Sequence, residues 1–237
     1  MPSNKRLAYI AIVGVLVAAA LVVQIRRGGN ATPEPHAYDN ILQTQTSDSW
    51  QARLWLSVIS LPAVQDHLQL TSDQKARLQT LLQSLTTEVQ ELAQSVREKK
   101  PEVRAEMPIY DERIDRLRLR RQREIADDLS DSQRERLDQL VLQYQGYNAL
   151  FLTSSIATLK LSNEQLQQLK DLAVEKTQIN SQYVRSYAQG NEAEKAAARL
   201  TFEESIAVHR RKNEAVLTPQ QRTLHKELLG EPFEFPK

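Results

Sequence analysis

The chain has no cysteine. That excludes disulfides, thiol catalysis, iron–sulfur clusters and a lipid-modified cysteine, and leaves the redox compartment open. Glycine is scarce, at 6 of 237 residues, and proline contributes 9. Long stretches therefore run without a breaker, as in long helices and helical hairpins, and nothing reads as a phosphate-cradling loop or a nucleophile elbow. Aromatic residues make up only 5%. The formal net charge is +1, so no bulk field draws the chain to nucleic acid, which is not an expected partner. His36, His67, His209 and His225 are scattered, with no pair at the i, i+3 or i, i+4 spacing of helical metal ligands. The sequence thus points to no catalytic residue, no metal ligand and no cofactor, and reads as non-enzymatic.

What the chain does have is one phrase written four times. It appears as Leu70-Thr71-Ser72-Asp73-Gln74, Leu129-Ser130-Asp131-Ser132-Gln133, Leu161-Ser162-Asn163-Glu164-Gln165 and Leu217-Thr218-Pro219-Gln220-Gln221. Each is a capping box. The Ser or Thr oxygen accepts from the backbone N–H three residues on, and the Gln side chain reaches back to the cap N–H. Thr71/Gln74, Ser130/Gln133, Ser162/Gln165 and Thr218/Gln221 therefore each mark a helix start. Thr71 and Ser162 are 91 residues apart, and Ser130 and Thr218 are 88 apart. Two near-equal offsets predict two related units, each with a long helix, a return helix and a short capped helix.

Residues 7–23 are apolar or glycine throughout, preceded by Lys5 and Arg6 and followed by Arg26 and Arg27. About 17–19 helical residues nearly span a hydrocarbon core of about 30 Å. An uncleaved anchor is expected. A cleaved signal peptide is the alternative, but residues 21–23 continue the apolar run past the small residues of a cleavage site. The expected plan is a cytoplasmic head at 1–6, a transmembrane anchor at 7–25, a flexible tether at 26–48, helical unit one at 49–150, and helical unit two with an extended tail at 151–237. The short head favours translocation of the large domain, which in a bacterium gives inner-membrane anchoring with a periplasmic domain.

Within unit one, residues 49–60 carry both tryptophans at helical spacing, for packing onto the body or for a place at the membrane interface. After Thr71, Leu78, Leu82, Leu85, Val89, Leu92 and Val96 form a narrow coiled-coil-type seam. Its burial is expected to drive folding, with each motif adding about 1 kcal/mol as punctuation. A return helix is expected from about Ile109 to Asp128, and a third helix closes at Gly146. In unit two a long helix turns at Gly190 and Asn191 into a return helix, and the fourth motif opens the last one. The fold class is all-α: a transmembrane helix plus two tandem hairpin units with coiled-coil-like packing.

The four motifs resemble the LTxxQ motif of the Spy/CpxP-like periplasmic proteins. Thr71/Gln74 and Thr218/Gln221 match it, while Ser130 and Ser162 depart conservatively. The phrasing around the motifs also resembles a group of membrane-anchored or secreted proteins of planctomycete-type bacteria. The resemblance covers roughly residues 61–229. It implies a helical hairpin cradle acting as an envelope-stress chaperone or a regulator of stress signalling, with metal binding in some members. Spy-type proteins are shorter, soluble and dimeric, with one motif pair per chain, whereas this chain carries two pairs.

Arg113, Arg116, Arg120 and Arg123 fall on one face of the return helix, opposite its apolar side. They form either a basic stripe for acidic clients or lipid head groups, or a solvated face neutralised by Glu112, Glu124 and Asp127. Arg121 points into the apolar face, by snorkelling, as a buried pair with a carboxylate or as a register-setting polar position of the seam, and His209 stands at its place in unit two. Phe233 and Phe235 of the tail tuck into a groove of the chain or bind a partner. The expected role is that of a membrane-anchored extracytoplasmic binding protein, chaperone-like or envelope-stress sensing, whose partners are the membrane and unfolded or envelope proteins. A structural or assembly protein pairing through its seams, with itself as a homo-oligomer or with another chain, is the first alternative. A periplasmic metal sensor is the second.

Overall fold

Capped helix starts and the lack of breakers give a chain built of helices. The computed structural model describes residues 48–98 and 103–236, with side chains at 50–95 and 112–236. The head, the anchor and the tether as far as residue 47 lie outside the described residues. Among the described residues no helix is long and apolar enough to cross a membrane, and all regular structure is helical.

In chain order the elements are α1 (Asp48–Ile59), α2 (Pro62–His67), α3 (Ser72–Glu98), α4 (Val103–Asp127), α5 (Asp131–Gln145), a 3-10 segment (Gly146–Phe151), α6 (Thr153–Leu159), α7 (Asn163–Gln189), α8 (Glu192–Val216) and α9 (Pro219–Leu229). Four of the starts are the repeated motif. α4 begins at Val103, earlier than the expected Ile109, and runs through Pro108. A proline there gives up one backbone hydrogen bond without ending the helix. A fifth capping box, Asn191 with Glu194, opens α8.

α3 and α4 run antiparallel, since Gln74 near the start of α3 meets Asp128 while Glu88 meets Arg121. α7 and α8 do the same, with Gln165 at Val216 and Leu172 at His209. A core sits at the motif end of each hairpin. The first gathers Trp55, Val58 and Ile59 of α1, Val64 of α2, Leu78 of α3, Ile125 of α4, and Leu137 and Leu140 of α5. The second gathers Leu150, Phe151, Leu159, Leu161, Leu169 and Leu217. A fully buried Leu or Ile contributes about 1.5–3 kcal/mol of transfer free energy.

The seam expected to drive folding is half realised. Of the α3 positions, Leu78 is buried, at 3% exposed, while Leu82, Leu85, Val89 and Leu92 are half-buried. Two helices alone leave the outer side of their shared seam open to water. Full burial comes where a third helix arrives, and in the first hairpin that is α1, which lies against α4 and α5. Trp55 is therefore a core residue, 5% exposed, and its indole N–H donates to Asp138 at 3.1 Å. Burial pushes the Asp138 carboxyl up, and the Trp55 bond pulls it partly back. The tail assigned to unit two packs on the first core through Phe233 and Phe235.

Candidate functional site

The motif glutamines do more than punctuate helices. Gln74 Oε1 accepts from the Thr71 N–H at 2.9 Å, closing its own capping box. Its Nε2 donates to the Asp128 carbonyl at 2.7 Å and to Gln133 Oε1 at 3.0 Å. Gln133 reciprocates: its Oε1 accepts from the Ser130 N–H at 2.9 Å, and its Nε2 donates to the Leu68 carbonyl at 3.2 Å and to Gln74 Oε1 at 3.4 Å. Each amide thus caps one helix N-terminus, satisfies a carbonyl just past the end of another helix, and grips its partner amide.

The same lock recurs in the second half. Gln165 Nε2 donates to the Val216 carbonyl at 2.8 Å and to Gln221 Oε1 at 2.7 Å. Gln221 Nε2 donates to the Leu159 carbonyl at 3.0 Å and to Gln165 Oε1 at 3.1 Å. The acceptors Leu68 and Leu159 are 91 residues apart, and Asp128 and Val216 are 88 apart, so the motif offsets govern the whole frame. Arg134 donates to the Ala126 carbonyl at 3.1 Å, and Arg222, 88 residues on, to that of Glu214 at 3.2 Å. Gln69 (φ 53) and Lys160 (φ 50) both take the left-handed conformation before their motifs. After each, Leu70 and Leu161 donate back to Gln65 and Ile156 in the manner of a Schellman turn.

The arginine stripe is split by the structure. All four arginines are exposed, but Arg116 pairs with Glu112 at 3.4 Å and Arg120 with Glu88 at 2.7 Å. Arg121, 12% exposed, is clasped by Glu88 of α3 and Glu124 of α4, and donates to Ser84 Oγ at 2.8 Å. Burial opposes the charge on both partners. The hydrogen bonds outweigh it, holding Glu88 below the usual carboxylate range and Arg121 above its ordinary value. Of the readings of Arg121, the geometry is that of the carboxylate pair.

His209 at the equivalent place is buried, and its Nε2 lies 2.7 Å from the Leu172 carbonyl. A carbonyl only accepts, so Nε2 carries the proton and Nδ1 accepts from Asn213 Nδ2 at 3.1 Å. Both are structural bonds within the α7–α8 hairpin. Nearby, the Tyr147 hydroxyl donates to Glu214 at 2.6 Å, and burial together with that carboxylate pushes the phenol up. His225, beside Tyr147, has a buried Nε2 without a hydrogen-bond partner among the described residues, and burial pulls its pKa down. Among the described residues no group of three or more His, Cys, Asp or Glu side chains converges as a metal site.

Sequence reasoning missed a set of exposed apolar side chains. On the second hairpin Val184, Tyr187, Leu200 and Val208 are 59%, 47%, 63% and 43% exposed. In the first hairpin Glu112 and Arg120 stand 88 residues before Leu200 and Val208. Among the described residues α8 has one substantial helix partner, α7, so nothing corresponds to α1 there. On the same hairpin Tyr183 stacks on Phe202, with ring centroids 4.4 Å apart, and Lys195 sits over the Tyr187 ring at 5.7 Å. The signal available beforehand was apolar residues at the outer positions of α8, which an alanine-rich reading passes over.

No family model matches the chain, and neither a curated protein nor a solved structure shows a match. The resemblance to LTxxQ proteins therefore rests on the four motifs and the phrasing around them.

Proposed function

We propose that this chain is a membrane-tethered extracytoplasmic binding protein that holds segments of other proteins and catalyses no reaction. In this reading residues 7–25 are the anchor, and two tandem hairpin units with coiled-coil-like packing form the binding body. The observation that carries it is the exposure of four large apolar side chains, Val184, Tyr187, Leu200 and Val208, on the second hairpin. Large exposed apolar patches mark interaction sites, and these side chains, two on each helix of the hairpin, are the ones that would build such a patch. Two glutamine locks and two cores hold the motif ends of the hairpins together, which suits a platform that presents a surface. The LTxxQ resemblance supports the same class, an envelope chaperone or stress regulator. The stripe arginines Arg113, Arg116, Arg120 and Arg123, all exposed, would add attraction for acidic clients.

Aggregation of an unfolding client, followed with the compact unit Ile41–Lys237, tests the proposal. Suppression by the native sequence and its loss in Leu200→Glu/Val208→Glu are the expected results. Absence of suppression by the native sequence rejects the holding role. Assembly through helical seams is the second reading, favoured by the same exposed side chains. It predicts concentration-dependent self-association in sedimentation, abolished by the same double substitution.

A further inference from the structure

The tail offers a second binding surface, independent of the second hairpin. Residues 231–236 form no helix. They run back to α5 and α2, and the bonds that hold them go to their main chain. Gln143 Oε1 accepts from the Phe233 N–H at 2.8 Å, while its Nε2 donates to the Leu229 and Glu231 carbonyls at 2.6 and 2.7 Å. Arg136 donates to the same Glu231 carbonyl at 2.7 Å, and through Nε to His67 Nε2 at 2.9 Å. These contacts read peptide backbone, so they do not depend on which side chains the segment carries.

The side-chain contacts alternate. Phe233 packs against the His67 ring at 4.8 Å between centroids, and Phe235 meets Tyr144 edge-on at 5.2 Å. The two phenylalanines contact each other at 4.9 Å, with exposed Glu234 between them in sequence. Main-chain bonds for affinity, with alternate side chains for selectivity, is how protein grooves recognise extended peptides. The turn into the groove is Gly230, at φ +62, where an added Cβ would strike the Gln139 amide.

We propose that the groove between α2 and α5 is a binding site for extended peptide segments bearing aromatic residues at alternate positions, and that the chain's own tail fills it as a tethered competitor. Unfolded polypeptide exposes such segments, whereas native helical proteins do not. A short tether keeps the tail at an effective concentration of the order of millimolar. A free peptide of about 0.1 mM affinity would then bind about tenfold more weakly to the intact chain than to one without its tail.

The test is fluorescence polarisation with a labelled peptide of residues 230–237, against the full-length chain in detergent and the chain lacking residues 231–237. Binding about tenfold tighter to the tail-less chain, lost with Gln143→Ala in that background and with alanine at both phenylalanine positions of the peptide, is expected. A tail-less chain that keeps its helical circular dichroism yet binds no tighter than the intact one overturns the proposal, as does binding indifferent to the phenylalanines. Should the truncation unfold, full-length Phe233→Ala/Phe235→Ala empties the groove instead, and failure of that variant to take up the peptide is equally decisive. Leu200→Glu/Val208→Glu leaves peptide binding unchanged, so this site and the second hairpin succeed or fail separately.

Discussion

The two hairpins share one hydrogen-bond frame and differ in what lies across them. α1 covers the first. The residues that answer to α1 at the 91-residue offset are 139–150, the end of α5 and the 3-10 segment. Val58 and Ile59 recur there as Ala149 and Leu150, all at most 1% exposed, but the place of Trp55 is taken by Gly146 at φ 57. The straight helix that brings an indole onto the first hairpin is a bent connector in the second, and the second stays uncovered. The polar content shifts with it. Val64, Ile125 and Leu137 of the first core are answered by Ser155, Asn213 and His225. A repeated frame thus fixes backbone placement, while cover and polarity are free to diverge; at the places of Leu200 and Val208 the first hairpin exposes Glu112 and Arg120, so the apolar side chains there come from the residues chosen and not from lost cover.

The comparison breaks most sharply in the cores. Leu140→Ala, at a position 0% exposed, is expected to cost about 3–5 kcal/mol, measured by urea denaturation. Leu228, its counterpart 88 residues on in α9, is half-buried, so Leu228→Ala should cost about half as much. Equal losses would mean that α1 adds no extra burial to the first core.

The locks come next. Gln133→Ala and Gln221→Ala each strip a capping bond, a helix-end bond and an inter-amide bond, and should cost about 2–3 kcal/mol. Similar values in the two halves are the mark of a common frame; a loss of only about 1 kcal/mol would return the motif to simple helix capping. A smaller effect is expected from His225→Leu, which removes a buried nitrogen without a partner and should stabilise by about 1 kcal/mol.

That substitution also carries a pH signature. The folded pKa of His225 lies below the ordinary 6.5, so folding favours the neutral ring. Its contribution is intact above pH 6.5 and declines as the pH falls from there toward the folded value. Glu88, held below its ordinary 4.5, contributes above that value and is lost only as the pH falls further. Urea midpoints against pH should therefore begin to drop just under 6.5. His225→Leu should flatten that upper limb in part, because His67 is also lowered, by burial and then by Arg136. Glu88→Gln should change the limb below 4.5 instead. The reverse assignment would contradict the burial of His225.

Helix content, both hairpins and the four helix starts were legible in the sequence, because capping chemistry and the 3.6-residue period are local. Arg121 was legible too, as a charge inside an apolar stripe. The glutamine locks were not: the motif shows each Gln reaching its own cap, but its other nitrogen bonds depend on a helix more than fifty residues away. The left-handed turns at Gln69 and Lys160 hid because neither is glycine. The α3 seam looked stronger than it is, since a heptad pattern shows which face is apolar and not how many helices arrive to cover it. The tail's two phenylalanines were visible, while Gln143 and Arg136, which grip its backbone, carry no signal in isolation.

The amide pairs also bear on the order of folding. Gln74 and Gln133 are separated by 59 residues, and Gln165 and Gln221 by 56. The hairpin turn joining α7 to α8 is far more local, so loop-closure entropy favours that contact before either lock. Bonds made late are absent from the transition state, so their loss speeds unfolding and leaves the folding rate nearly unchanged. In kinetic terms the four glutamines are expected to act as latches that close after the helices have met, so that Gln→Ala at any of them speeds unfolding more than it slows folding.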